Sequence, residues 1–185
     1  MHELSLQYIK RFRMGINFNN ISLPKVDLPS EFWYVPWSSA LIEIHADIQY
    51  RGFCNDLDAK LFPTFRKYDS CLRLMQSLSG GSTFMPEATL LIAHGQTNEL
   101  VEYVAAVQSV RYSIDTGAIQ NIAVLPEYRN RGIGRGLLLG ALWGFRRMGI
   151  KNVTLDVTAD NFNAIKLYRR IGFSTIKIYY REIGS

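Results

Sequence analysis

Apolar positions along the chain alternate between a strand-like period of two and a helix-like period near 3.6. Tyr8–Phe18 is rich in apolar and β-forming residues and predicts a first strand. Asn19–Ser30, with Pro24 and Pro29, predicts a loop, and Phe32–Trp37 a short extended piece. Ser38 or Ser39 caps a predicted helix through about Phe53, with Leu41, Ile44 and Ile48 on one stripe. Asp69–Ser79 predicts a second helix, closed by Gly80-Gly81. Thr89–Ala93 and Tyr103–Tyr112 predict strands joined by a turn over His94–Asn98, which exposes His94. Ala118–Leu125 predicts a buried strand ended by Pro126. Gly134–Met148 predicts a helix with Leu138, Leu142 and Phe145 on one face and Gly149 just past its end. Asn152–Val157 alternates as a strand, Asn161 or Asp160 caps a helix to Ile171 stopped by Gly172, and Phe173–Tyr180 is the last predicted strand. This order predicts an α/β fold, a mixed sheet flanked by helices, in a single domain over residues 1–185.

Composition narrows the class. The 185 residues are 48% hydrophobic and 20% charged, the balance of a chain that buries a core without disulfides or metal. The longest apolar run, Gly136–Phe145, is too short to span a bilayer. The first residues reach Lys10 and Arg11 without a secretory apolar core, which predicts a cytoplasmic chain outside the membrane. Cys54 and Cys71 are far apart and His2, His45 and His94 are scattered, so no metal site is expected and both thiols read as buried and reduced. Charge is uneven. Residues 129–185 carry 11 Lys and Arg against 3 Asp and Glu, whereas residues 1–128 carry 10 against 13. A basic C-terminal third points to an anionic ligand such as phosphate, and a solvated face competes with that reading.

The stretch Val124-Leu-Pro-Glu-Tyr-Arg129-Asn130-Arg131-Gly132-Ile133-Gly134-Arg135-Gly136 follows a predicted buried strand and opens a helix. Glycines there allow tight turning and close backbone approach. The first amides of the helix lack intrahelical partners and lie at its positive end. A pyrophosphate fits such a place, with Arg129, Arg131 and Arg135 around it. The dinucleotide Gly-x-Gly-x-x-Gly pattern fails because position 137 is Leu, and no Gly-Lys-Ser/Thr phosphate loop is present.

Downstream, Asn161-Phe-Asn-Ala164-Ile-Lys-Leu167-Tyr168 leads to Gly172-Phe173. Together with Arg131-Gly-Ile-Gly134-Arg-Gly136, this pattern resembles the GCN5-related N-acetyltransferase superfamily over residues 118–173. The resemblance implies an acyl-CoA N-acyltransferase fold in which acetyl-CoA enters between two splayed parallel strands, here Ala118–Leu125 and Asn152–Val157. It implies that the backbone of Ile122, Ala123 and Val124 pairs with the pantetheine arm. Arg129, Asn130, Arg131, Gly132, Ile133, Gly134 and Arg135 would hold the pyrophosphate, Asn161 would reach the pantetheine, and Tyr168 would sit near the coenzyme sulfur.

The implied reaction is direct attack of a primary amine, from a small molecule or a peptide or protein N-terminus, on the thioester. A backbone N–H, that of Val124, would meet the oxyanion, and Tyr168 would protonate the leaving thiolate. Relatives often place a glutamate where this chain has Gln120 and Asn121, neither of which is a base. Asp156, twelve residues before the tyrosine, occupies the position of another family acid, with a strand-end carboxylate paired to an arginine as its plain alternative.

Other readings compete. Tyr168 shares a stripe with Ile165 and Ile171, so a core role stands beside the functional one. Asn161 serves equally as a helix cap. Trp33, Tyr34 and Trp37 would wall the acceptor cavity or pack in the core. Glu43, His45, Asp47, Asp56 and Asp58 would bind an amine or serve structure. Gly140 and Gly144 suggest close packing. The acidic balance of the N-terminal portion favours a cationic acceptor. Only 12 residues follow Phe173, so the sheet either ends early or takes a strand from another chain, which motivates a homodimer. A non-catalytic acyl-CoA-binding sensor is the alternative function. A nucleic-acid binder has no supporting motif, so no nucleic-acid partner is expected.

Overall fold

In the computed structural model, residues 8–56, 58–95 and 101–183 are described. They form β1 (Tyr8–Asn17), β2 (Phe32–Pro36), α1 (Ile42–Phe53), the single turn α2 (Asp58–Leu61), α3 (Tyr68–Ser79), β3 (Leu90–His94), β4 (Glu102–Arg111), β5 (Thr116–Val124), α4 (Ile133–Arg147), β6 (Asn152–Thr158), α5 (Phe162–Ile171) and β7 (Ser174–Glu182). One seven-stranded sheet orders them β2-β3-β4-β5-β6-β1-β7. Only β5 and β6 pair in parallel; every other neighbouring pair is antiparallel. The mixed α/β architecture is the one the periodicity predicts, with the short extended piece Phe32–Pro36 added as a full strand at one edge.

The main departure is β1. It lies between β6 and β7, with Arg13 opposite Asp156 on one side and Arg11 opposite Tyr179 on the other. The first strand of the chain thus takes a place inside the sheet, and β7 is an edge strand paired on one side only. Non-local pairing of this kind leaves no trace in local periodicity. Met14 and Ile16 are buried from this strand, so it is part of the core.

Helices cover both faces. Phe145 of α4 lies against Gly117 of β5, and Gly52 of α1 lies against Ala123 of the same strand. Positions 117 and 123 would share a face in a regular strand. The register between β4 and β5 shifts at Gln108/Ser109, with Gln120 as the extra residue, and this bulge sends them to opposite faces. α1 packs on the sheet and on α3 at once, so it buries more than one stripe. Its buried residues are His45, Ala46, Ile48, Gln49 and Gly52, and the predicted stripe packs with them, Ile48 fully and Leu41 and Ile44 in part. Ser38 caps a 3₁₀ turn, Ser39–Leu41, that leads into α1.

Close packing explains the small residues of α4. A side chain at Gly140 would meet Tyr34, and one at Gly144 would strike the Glu87 carbonyl. His94 closes β3 half-buried between the Phe32 and Tyr128 rings, so the exposed turn expected for it is replaced by an aromatic contact. The rest of that turn includes residues 96–98, which lie outside the described residues. Cys71 is buried as expected, whereas Cys54 is only half-buried. Among the described residues no helix is long and apolar enough to cross a membrane.

Candidate functional site

The parallel ladder of β5 and β6 runs from Thr116 opposite Asn152 to Ile119 opposite Leu155 and then stops. Gln120, the bulged residue, follows at once. An extra residue bends its strand away from its neighbour, so β5 and β6 part beyond this point. The edge of residues 120–124 that faces β6 has no strand partner. The Leu125 N–H donates to the Val104 carbonyl at 2.9 Å, which in an antiparallel ladder directs the Val124 N–H away from β4 and toward the opening. A cleft of about 350 Å³ occupies the parting. Its walls include Gln120, Asn121 and Ile122 of β5, Asp156 of β6, Asn161 and Tyr168 from α5, and Arg11 and Arg13 of β1.

Tyr168 is held by the stripe Ile165–Tyr168–Ile171, the buried face of α5. Burial pushes its phenol well above the ordinary tyrosine range, and the nearby Asp58 carboxylate acts in the same direction. The hydroxyl therefore stays protonated at neutral pH. Asn161 caps α5, its Oδ1 accepting from the Ala164 N–H at 3.2 Å, and it still lines the cleft. It thus caps the helix from a place in the cleft wall.

Asp156, the candidate base, stands in the cleft wall and is paired with Arg13, the arginine pairing named as its alternative. Arg13 donates to it twice, Nε to Oδ1 and Nη2 to Oδ2, each at 2.9 Å. The two parallel bonds fix the carboxylate against the guanidinium plane. The second cleft carboxylate, Asp58, accepts from Arg11 at 3.0 Å and from the Thr158 hydroxyl at 2.8 Å. Each cleft carboxylate thus faces an arginine of β1.

The loop before α4 keeps the predicted shape. Asn130 has φ +64° and Gly132, the N-cap of α4, has φ +81°. The amides of Ile133, Gly134 and Arg135 open the helix and lack intrahelical acceptors. A Cβ on Gly134 would meet only ordinary contacts, Val124 and Leu167 at 3.6 and 3.7 Å, so its lack of a side chain is not demanded by packing. Arg131 rests over the Tyr128 ring at the loop surface. Arg129 departs from expectation. Its guanidinium donates to the Gly52 carbonyl at 2.7 Å and the Val124 carbonyl at 3.1 Å and pairs with Asp56. It ties α1 to the end of β5.

Of the other candidates, His45 is fully buried and bonds Gln108 at 3.0 Å, Asp47 pairs with Arg51, and Tyr34 donates to the Gly136 carbonyl. Trp33, Tyr34 and Trp37 do not line the cleft. Sequence reasoning missed Arg11, Arg13, Phe62, Tyr112, Tyr179 and Arg181 as cleft residues. The one available signal was Arg11 and Arg13 spaced by two in a predicted strand, which puts both on one face.

Comparison with known proteins agrees with this geometry. Ribosomal protein bS18-alanine N-acetyltransferase of Escherichia coli is 35% identical over 74 residues, 40% of this chain and 50% of that protein. An N-alpha-acetyltransferase of Mycobacterium tuberculosis is 43% identical over 70 residues, 36% of this chain and 42% of that protein. The chain thus spans about half the length of these relatives. A crystal structure of a GCN5-related N-acetyltransferase from Sphaerobacter thermophilus superposes over 97% of this chain and 54% of its own, with a TM-score of 0.70 at 22% identity, a likeness of fold. The acetyltransferase (GNAT) family profile matches residues 54–173, across the bulge, the splayed strands, the loop and the α5 tyrosine, and the chain belongs to that family.

Proposed function

We propose that the protein is an acetyl-CoA-dependent N-acetyltransferase that moves an acetyl group to a primary amine by direct attack, with Tyr168 as general acid. The observation that carries this reading is the parting of β5 and β6 at Gln120, which leaves one strand edge unpaired beside a buried, protonated phenol. Acetyl-CoA supplies the activated acetyl thioester. The chain fits it on three counts. The free edge of Ile122, Ala123 and Val124 offers backbone groups to an extended amide-bearing arm. The amides of Gly132, Ile133 and Gly134 and the side chains of Asn130, Arg131 and Arg135 surround a helix N-terminus suited to pyrophosphate. Gly134 leaves that approach open.

In the reaction, the Val124 N–H stabilises negative charge on the carbonyl oxygen, and Tyr168 gives its proton to the departing sulfur. Among the described residues that line the cleft, no side chain is an unpaired carboxylate or a histidine. The amine proton therefore leaves to solvent, and Asp156 acts by holding Arg13. The E. coli and M. tuberculosis relatives are named for acetylation of a ribosomal protein alanine and of α-amines. A peptide or protein N-terminus, alongside small primary amines, is thus the acceptor class to test first. The test is thiol release from acetyl-CoA in the presence of a panel of amines and short peptides. Amine-dependent release with formation of the N-acetyl product is expected. Tight acetyl-CoA binding without release across the panel would overturn catalysis in favour of a sensor.

A further inference from the structure

Charge in the cleft is unbalanced, and the imbalance comes from the strands that chain order keeps far apart. Five fully charged side chains line it: Arg11, Arg13, Arg181, Asp58 and Asp156. Arg11 is paired with Asp58 and Arg13 with Asp156. Arg181, on β7, takes part in no ion pair among the described residues. Its guanidinium lies 4.3 Å from the Phe62 ring centre, and that of Arg11 lies 5.1 Å from the same ring. Stacking on an aromatic face restrains the guanidinium and leaves the fork of N–H donors in its plane available.

We infer that the acceptor is an amine that also carries an anionic group, a carboxylate in the first instance, and that Arg181 holds that group at the β1–β7 wall. This rests on the N-acetyltransferase reading above and names the substrate class for the same cleft. A planar two-oxygen anion matches the guanidinium fork, and its charge cancels the surplus cation. This reading is the opposite of the cationic acceptor expected from the acidic first 128 residues, because folding sets Arg11 and Arg13 of that segment beside Arg181.

The test uses β-alanine, 4-aminobutyrate and alanyl-alanine, each beside its own carboxamide, with the full chain and acetyl-CoA. At least one carboxylate is expected to exceed its carboxamide in kcat/KM by ten-fold or more. Arg181→Gln is expected to lower kcat/KM for that carboxylate by ten-fold or more, with an unchanged acetyl-CoA Kd and melting temperature. Arg181→Lys keeps charge without the fork and is expected to recover part of the loss. Carboxamides turned over as well as or better than carboxylates would overturn the anion subsite and leave acetyl transfer standing. So would a carboxylate preference unaffected by Arg181→Gln. Failure of every acceptor with acetyl-CoA bound would overturn the acetyltransferase reading and the subsite together.

Discussion

Arg13 on β1 holds Asp156 on β6 in a two-point fork, and this pairing spans 143 residues of sequence. It fastens the first strand of the chain to the parallel strand beside the cleft. Asp156→Asn is expected to lower kcat by less than about threefold and to leave its pH profile in place. A general base would cost about a hundred-fold or more. Steady-state rates from pH 6 to 9 distinguish the two, and a hundred-fold loss would restore Asp156 to the proton path.

Tyr168→Phe keeps the buried ring and removes the proton. We expect kcat to fall by about a hundred-fold or more with an unchanged acetyl-CoA Kd. Because burial raises the phenol above the usual tyrosine range, its protonated form persists as pH rises. The activity of the wild type is therefore expected to show no tyrosine-linked decline below about pH 10. A falling limb between pH 8 and 9 that disappears in Tyr168→Phe would contradict this.

Two glycines of α4 separate binding from packing. Gly134→Ala is expected to raise helix stability by about 0.5–1 kcal/mol, because alanine is the better helix former and the space is open. The same change should weaken acetyl-CoA binding several-fold. Gly144→Ala would drive a methyl group into the Glu87 carbonyl and should destabilise the fold by about 1–3 kcal/mol. Urea unfolding and acetyl-CoA titration of both variants check the contrast. Equal behaviour would mean that Gly134 serves packing alone.

His45 supplies a pH test of the α1–sheet interface. Burial lowers its pKa to about 3, so the fold holds it neutral while the unfolded chain protonates it near pH 6.5. The contribution is present above pH 6.5 and is lost progressively as pH falls toward 3. Between pH 7 and 5 this amounts to about 2 kcal/mol. His45→Gln should lack that part of the pH dependence in urea titrations at the two values. An identical slope in wild type and variant would rule out a buried neutral histidine.

Local chemistry made much of the site legible. The glycine loop, the capping Asn161 and the striped Tyr168 each depend on neighbours within a few residues, and each stands where local pattern puts it. Arg129 shows the limit of such reasoning. It sits in an arginine-glycine stretch, yet the carbonyls of Gly52 and Val124 capture it from across the fold. The buried His45–Gln108 contact likewise depends on which face of α1 meets β4. The placement of β1 beside β7 was not legible at all, because strand pairing across the whole chain is set by competition among edges. With it went the cleft wall of Arg11, Arg13, Tyr179 and Arg181.

The central claim is that acetyl-CoA occupies the opening between β5 and β6 with its pyrophosphate at the start of α4. Calorimetric titration of acetyl-CoA into the wild-type chain and an Arg131→Glu, Gly134→Trp double variant tests it most directly. The account predicts saturable one-to-one binding by the wild type, lost in a variant that still melts cooperatively. A folded wild type that takes up no acetyl-CoA, or a variant that binds as tightly, would contradict it.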